Sequence, residues 1–348
     1  MISDNDNGSV CMLRLLVSPL KQEGDKIMTE AIMNKIIHEL KRTKWLDPKT
    51  MELVFKDHPW IGLPQGEIVT AFCALLHPIM TKRNPYAYSM ANIQSLITSK
   101  RYIKHAALIA ELFLAKFDPE KNLSTESFNE SSQTIADTVC DDVEDTVAKE
   151  LLLKMIDIVK CTLRTNVFIE NRYSLGLRLD PRVMEQEENA REIPFGIIFS
   201  HGRRFNAFHV RFRDIARGGM RLVTPSNQEQ HALESARQYD ECYNLAYSQQ
   251  LKNKDIPEGG SKAVNLIDCH GLSEEAKQFV MRKSVKAFTN TLLDLVVEYD
   301  NEQLNQVDYL EKKEVIYLGP DEQVSVIVSR QSLMSLTYSS TQKLSKHD

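Results

Sequence analysis

The chain has 348 residues, 42% of them hydrophobic and 26% charged, with a formal net charge of −5. That length accommodates two small domains or one large one around a sizeable core, and the balance excludes a disordered chain. The mild negative charge excludes nucleic acid or an acidic membrane as the main partner, and basic runs such as Lys41-Arg42 read as solvated faces.

The N-terminus, Met1-Ile-Ser-Asp-Asn-Asp6, carries acid where a secretory or mitochondrial presequence carries base. No apolar stretch approaches the ~20 residues of a membrane span, so a cytoplasmic chain without a membrane partner is expected, with mitochondria as the alternative. From about Lys26 to Phe117 the pattern is helical. Ile32, Ile36, Ile37 and Leu40 recur at three and four, as do Leu108, Leu112 and Leu114, with turns at Asp47-Pro48 and Asn84-Pro85. The stretch 119–140 opens on Ser-, Asn- and Glu-rich sequence and reads as a solvated linker. A helix is expected from Asp141 to Asn166, because Val143, Val147, Leu151, Met155, Ile158 and Leu163 form one stripe behind an acidic start.

The grammar then changes to strands. Tyr173–Asp180 alternates, Phe195–Phe199 is an apolar run, and Phe205–Arg213 alternates again. Two long helices follow, near Gln228–Gln250 and Glu274–Tyr299, with short strand-like pieces at Asp255–Pro257, Val264–Ile267 and Val315–Leu318. Together these predict an α/β chain, a helical N-terminal region followed by a mixed sheet flanked by helices. Residues 325–348 lose any clear pattern and read as a frayed tail.

Two glycine pairs carry the candidate chemistry. In Ile256-Pro-Glu-Gly259-Gly260-Ser-Lys262 the glycines let backbone approach a ligand closely, and a desolvated lysine there can act as an acid or base; a surface turn with a solvated lysine is the plainer reading. In Arg213-Asp-Ile-Ala-Arg217-Gly218-Gly219-Met-Arg221, a loop crowded with arginines suits a carboxylate clamp, or else a strand end paired with surface acids. The six cysteines are scattered without a CxxC pair, which fits a reducing compartment and gives no disulfide framework or zinc site. His201, His209 and Cys269-His270 lack metal-ligand spacing, and Gly259-Gly-Ser-Lys262 has the wrong order for a phosphate loop.

The runs Phe208–Arg221 and Tyr243–Lys262 resemble the substrate domain of glutamate dehydrogenases, specifically the large-subunit, NAD-specific class. The likeness is strong from roughly Thr165 to Val324 and weaker over the helical region before it. It implies an amino-acid dehydrogenase substrate-binding domain over 141–324, preceded by helical extension over 1–118, the 119–140 linker, and followed by the 325–348 tail. It implies that Lys262 is the catalytic lysine that activates water against an imine carbon. Tyr317-Leu-Gly-Pro-Asp321 resembles the loop of the partner acid, which makes Asp321 the proton-transfer candidate. Arg217, Gly218, Gly219, Arg221, Lys252, Gly259 and Gly260 follow as substrate-binding candidates. The family's other substrate lysine falls on Gln250 by ungapped spacing, with Lys252 the nearest cation. Which cation holds which carboxylate stays open at this stage.

The implied reaction is NAD-dependent oxidative deamination of glutamate to 2-oxoglutarate and ammonia, by a homo-oligomer. Hydride transfer needs a dinucleotide cradle, usually Gly-x-Gly-x-x-Gly between strand and helix. The sequence contains none, and the likeness fades just past Val324, so the chain is expected to be a fragment or diverged relative. The alternative is a non-catalytic dicarboxylate-binding or oligomerisation module.

Overall fold

The computed structural model describes residues 30–121, 123–184, 191–252, 255–297 and 306–321. Contacts divide the chain into two units, residues 1–41 and 42–348. Helix α1 (Glu30–Thr43) carries the expected Ile36, Ile37 and Leu40 stripe. The tail 325–348 lies outside the described residues.

The second unit begins with helices, each started by a local device. Asp47 caps α2 (Pro48–Glu52) by accepting from the Lys49 N–H, and a π-helical turn, Leu53–Asp57, follows. Helix α3 (Leu63–Met80) is apolar almost all round and so becomes the buried axis of this layer. Ser89 caps α4 (Met90–Ile97), and α5 (Ile103–Phe117) packs on α3.

Two expectations fail in the next segment. Residues read as a linker form a long helix, α6 (Thr125–Asp142), capped by Ser124. Its polar composition reflects shallow burial, since Ser132 and Val139 are its buried residues. The helix expected from Asp141 to Asn166 is shorter: α7 runs Thr146–Cys161, and Asp145 accepts from the Ala148 N–H at its start. Asp141 and Asp142 end α6 instead of opening α7, because Asp145 is the cap that satisfies the orphan donors. The C-terminus of α7 is closed by the buried Lys116, whose ammonium donates to the carbonyls of Val159 and Thr162, both at 2.7 Å.

The sheet has seven strands: β1 (Thr162–Thr165), β2 (Leu175–Leu179), β3 (Gly196–Gly202), β4 (Phe205–Arg211), β5 (Ile215–Val223), β6 (Gly259–Ile267) and β7 (Val315–Pro320). Their order is β1-β2-β3-β4-β6-β5-β7. Strands β1 to β4 and β6 pair antiparallel, whereas β6, β5 and β7 form a parallel trio with β5 in the middle. Helices α8 (Gln228–Lys252) and α9 (Glu274–Val296) make the crossovers that parallel pairing requires.

Alternation sorts the two faces. Leu175, Leu177, Leu179, Phe208, Val210 and Val264 join the core shared with α3, α7 and α8. Ile198, Ala207, Met220, Ala263 and Ile267 join the core under α9. The mixed α/β architecture read from the sequence is the one observed. Residues 42–118 and the sheet belong to one compact unit, although the sequence suggested a boundary at 119–140.

Candidate active site

The segment Arg213–Arg221, expected as a loop, is mostly strand β5, and the glycines expected in a turn before Lys262 open strand β6. The strand-like piece expected at 255–257 is turn. Glycine pairs inside strands mark places where another chain segment comes close, and that is their use here.

Register then assembles the site. On the α8 face of the sheet, Gly219 stands beside Lys262 on one side and Gly319 on the other; one step earlier, Arg217 stands between Gly260 and Tyr317. Residues 217, 219 and 221, 260, 262 and 264, and 317, 319 and 321 thus share one face through their period of two. Asp321 lies just past the end of β7 and reaches across β5 to Lys262, whose ammonium donates to Asp321 Oδ2. A Cβ at Gly219 would overlap the Asp321 carboxylate, so the missing side chain is what opens this crossing. Lys262 is largely enclosed, with 17% of its side chain exposed against 37% for Asp321.

Helix α8 roofs the site. The Cys242 thiol donates to the Lys262 carbonyl at 3.2 Å, and Gln238 Nε2 donates to the Val264 carbonyl at 3.0 Å. Burial pushes the Cys242 thiol pKa well up, so it is a packing group and not a nucleophile. At Gly260 a Cβ would strike the backbone of α8 at Ala246 and Gln250, and the Gly260 N–H donates to Gln250 Oε1 at 2.6 Å. Gln250, where spacing had put a substrate lysine, is therefore occupied in fastening α8 to β6.

Between α8 and the parallel trio lies an open cavity of about 360 Å³. Its wall includes Arg217, Gly218, Gly219, Lys252, Lys262 and Asp321. Of the sequence-derived candidates, Arg221, Gly259 and Gly260 stand outside that wall. Arg221 pairs with Glu241 of α8 at 2.7 Å, and Gly259 packs against Arg213. Sequence reading missed Ser248, Gln249 and Tyr317, which also line the cavity. The signal was available: Ser248, Gln249 and Lys252 lie within one turn of α8, and Tyr317 alternates with Gly319 and Asp321. Lys252 has no ion pair among the described residues, while Arg217 Nε lies 3.1 Å from Glu258 Oε2. No three His, Cys, Asp or Glu side chains among the described residues come together as a metal site would need.

The cavity therefore combines a lysine–carboxylate pair able to exchange a proton with two cations able to hold an anionic ligand. The family described as bacterial NAD-glutamate dehydrogenase, catalytic domain, matches residues 135–335, past the point at Val324 where the resemblance had faded. The chain is 43% identical over 173 residues to the NAD-specific glutamate dehydrogenase of Saccharomyces cerevisiae, covering 49% of this chain and 15% of that protein. It is 36% identical over 192 residues to the probable NAD-specific glutamate dehydrogenase of Schizosaccharomyces pombe, covering 55% of this chain and 16% of that one. Glutamate dehydrogenase 2 of Dictyostelium discoideum is 39% identical over 160 residues, 46% of this chain and 14% of its own. The matched region thus spans about one seventh of these relatives' length. With the family match extending over more than half of its residues, the chain belongs to the NAD-glutamate dehydrogenase catalytic-domain family.

Proposed function

We propose that this chain holds the dicarboxylate substrate and moves its protons in an NAD-dependent glutamate dehydrogenase, in the interconversion of glutamate with 2-oxoglutarate and ammonia. The observation that carries this reading is the Lys262–Asp321 pair, joined across Gly219 inside a cavity that also presents Arg217 and Lys252. Two cations in such a cavity suit a small ligand with two carboxylates, and the guanidinium offers a planar fork to one of them. Gly218 and Gly219 form the floor. From outside the wall, Gly260 fastens β6 to α8, Arg221 ties β5 to α8, and Gly259 packs against Arg213.

Lysine hydrogen-bonded to a carboxylate can hand over its proton, and the neutral amine is then the base that takes a proton from water attacking the imine carbon. Asp321, the more exposed partner, returns the proton to the departing nitrogen. In the reaction the relatives' names imply, NAD would supply the hydride acceptor. The described strand-to-helix turns, residues 224–227 and 268–273, contain a single glycine, Gly271, and do not fit a Gly-x-Gly-x-x-Gly cradle. The roles assigned to this chain accordingly stop at substrate and proton.

Titration calorimetry with 2-oxoglutarate tests the reading. One site is expected, weakened about tenfold or more by Arg217→Met and by Lys252→Met, as for loss of a charge-assisted hydrogen bond. Lys262→Met is expected to keep that site, since it removes the proton-exchanging amine and leaves both cations in place. Absence of binding, or equal binding by wild type and both cation variants, would remove the reading.

A further inference from the structure

We infer that Glu258 is an internal occupant of the carboxylate position at Arg217, and that a ligand's distal carboxylate binds by displacing it. Glu258 thereby competes with ligands that carry a second carboxylate and sets how tightly they bind. The inference rests on the cavity being the dicarboxylate site.

Register is the first support. Arg217 is the neighbour of Gly260 and Gly219 is the neighbour of Lys262, so Arg217 sits one side-chain step along the same face from the proton-exchanging pair. That step is about 6.5 Å, the rise of two strand residues. A carboxylate bonded directly to the reacting carbon beside Lys262 is too close to that carbon to span it, whereas one separated from it by two methylenes comes within reach of the guanidinium.

The second support is that this position is already filled by chemistry of the right kind. Glu258 directly precedes the paired glycines of β6 and shares the alternation of Gly260 and Lys262; its Oε2 lies 3.1 Å from Arg217 Nε. Arg217 is 48% exposed and Glu258 40% exposed at the side chain, so both can swing apart, and the contacting Oε2, shielded from water, makes no hydrogen bond that would hold it there. Arg221, which does not line the cavity, pairs instead with the less exposed Glu241 of α8, 24% exposed. Of the two arginines on this strand face, the one with the displaceable partner is the one that lines the cavity.

A displaceable carboxylate lowers the affinity only of ligands that must take its place at the guanidinium. A ligand that brings its own carboxylate exchanges one ion pair for another. A ligand ending in a methyl group cannot make that exchange; it leaves the Arg217–Glu258 pair in place and gains nothing from the guanidinium.

The test uses the full 348-residue chain, with Glu258→Gln removing the charge at constant size. Two probes are titrated: 2-oxoglutarate, and 2-oxopentanoate, which has the same carbon chain without the distal carboxylate. In Glu258→Gln the Kd for 2-oxoglutarate is expected to fall about three- to fivefold, the range for losing competition from an exposed ion pair. The Kd for 2-oxopentanoate is expected to stay unchanged, and the gain for 2-oxoglutarate to shrink as salt is raised. Glu258→Ala is expected to shift the same way, which guards against an effect peculiar to glutamine. If wild type binds 2-oxoglutarate, Arg217→Met weakens it and Glu258→Gln leaves it unchanged, the role of Glu258 is overturned while the cavity reading stands. Equal tightening of both probes overturns competition at the guanidinium. Binding by neither chain removes both readings together.

Discussion

Two sets of arginine–carboxylate pairs occupy opposite faces of one sheet, and they differ in burial far more than in chemistry. On the α9 face, Arg178, Arg211 and Arg164 converge on Glu314, with Arg178 Nη2 at 2.8 Å and Arg164 also bonded to Asp308 at 2.6 Å. Arg178, Arg211 and Glu314 are buried, and burial lowers the pKa of both arginines. On the α8 face, Arg217–Glu258 and Lys262–Asp321 are only partly buried, and Arg217, Lys262 and Asp321 line the cavity. The closed set can exchange with nothing and so fixes the lead into β7; the open set can trade its partners for those of a ligand.

Substitutions that treat the two sets alike should therefore give opposite results. The largest effect is expected from Glu314→Ala, which takes the carboxylate partner from the buried Arg178 and Arg211 while Arg164 keeps Asp308: a loss of about 3–5 kcal/mol in urea unfolding. Lys262→Met should change stability by less than about 1 kcal/mol in the same assay. Equal losses would mean that the open pairs are as structural as the closed ones.

The glycines sharpen the comparison next. Gly260→Ala forces a methyl against the backbone of α8, which cannot yield locally, and should cost about 1–3 kcal/mol. Gly219→Ala meets a side-chain carboxylate instead, so its expected effect is displacement of Asp321 and loss of turnover with a smaller change in melting temperature.

These glycines also mark where the sequence was hard to read. Alternation exposed β2 and β4 and an apolar run exposed β3, because burial writes itself into the residue order. Strand β5 was taken for a loop since Gly218-Gly219 reads as a breaker, yet the pair is there to admit Ser261 and Asp321. Helix α6 was taken for a linker because Thr134 and Thr138 return their hydroxyls to carbonyls four residues back, which lets a Ser- and Thr-rich segment stay helical with little burial. Lys262 and Asp321 were legible through the family likeness. The crossing that joins them was not, because register between strands far apart in sequence is set by packing and cannot be read locally.

A smaller effect concerns acid. Burial lowers the His77 pKa to about 4 and that of His209 well below the ordinary 6.5, with His77 Nδ1 held 2.9 Å from Ser235 Oγ. The unfolded chain takes up these protons near pH 6.5 and the folded chain does not, so stability present above that pH is lost as pH falls toward 4. Asp294, raised by burial to about 6, acts the other way between pH 6 and its ordinary 3.8. His77→Gln should flatten the acid limb of the stability curve by up to about 1.4 kcal/mol per pH unit, read from urea midpoints. The smallest effect is expected on the surface: Arg101→Ala, which breaks an exposed 3.0 Å pair with Glu144, should cost less than about 1 kcal/mol.

The open set of ion pairs has meaning only if a dicarboxylate enters between them. Amide NMR of the chain titrated with 2-oxoglutarate addresses that directly, because Gly218, Gly219 and Gly319 border the cavity and carry no side chains of their own. Saturable shifts at these three amides and at Lys262, absent in Arg217→Met, are the expected result. Shifts confined to other parts of the chain, such as the second cavity lined by Lys49, Asp57 and Thr98, would contradict it.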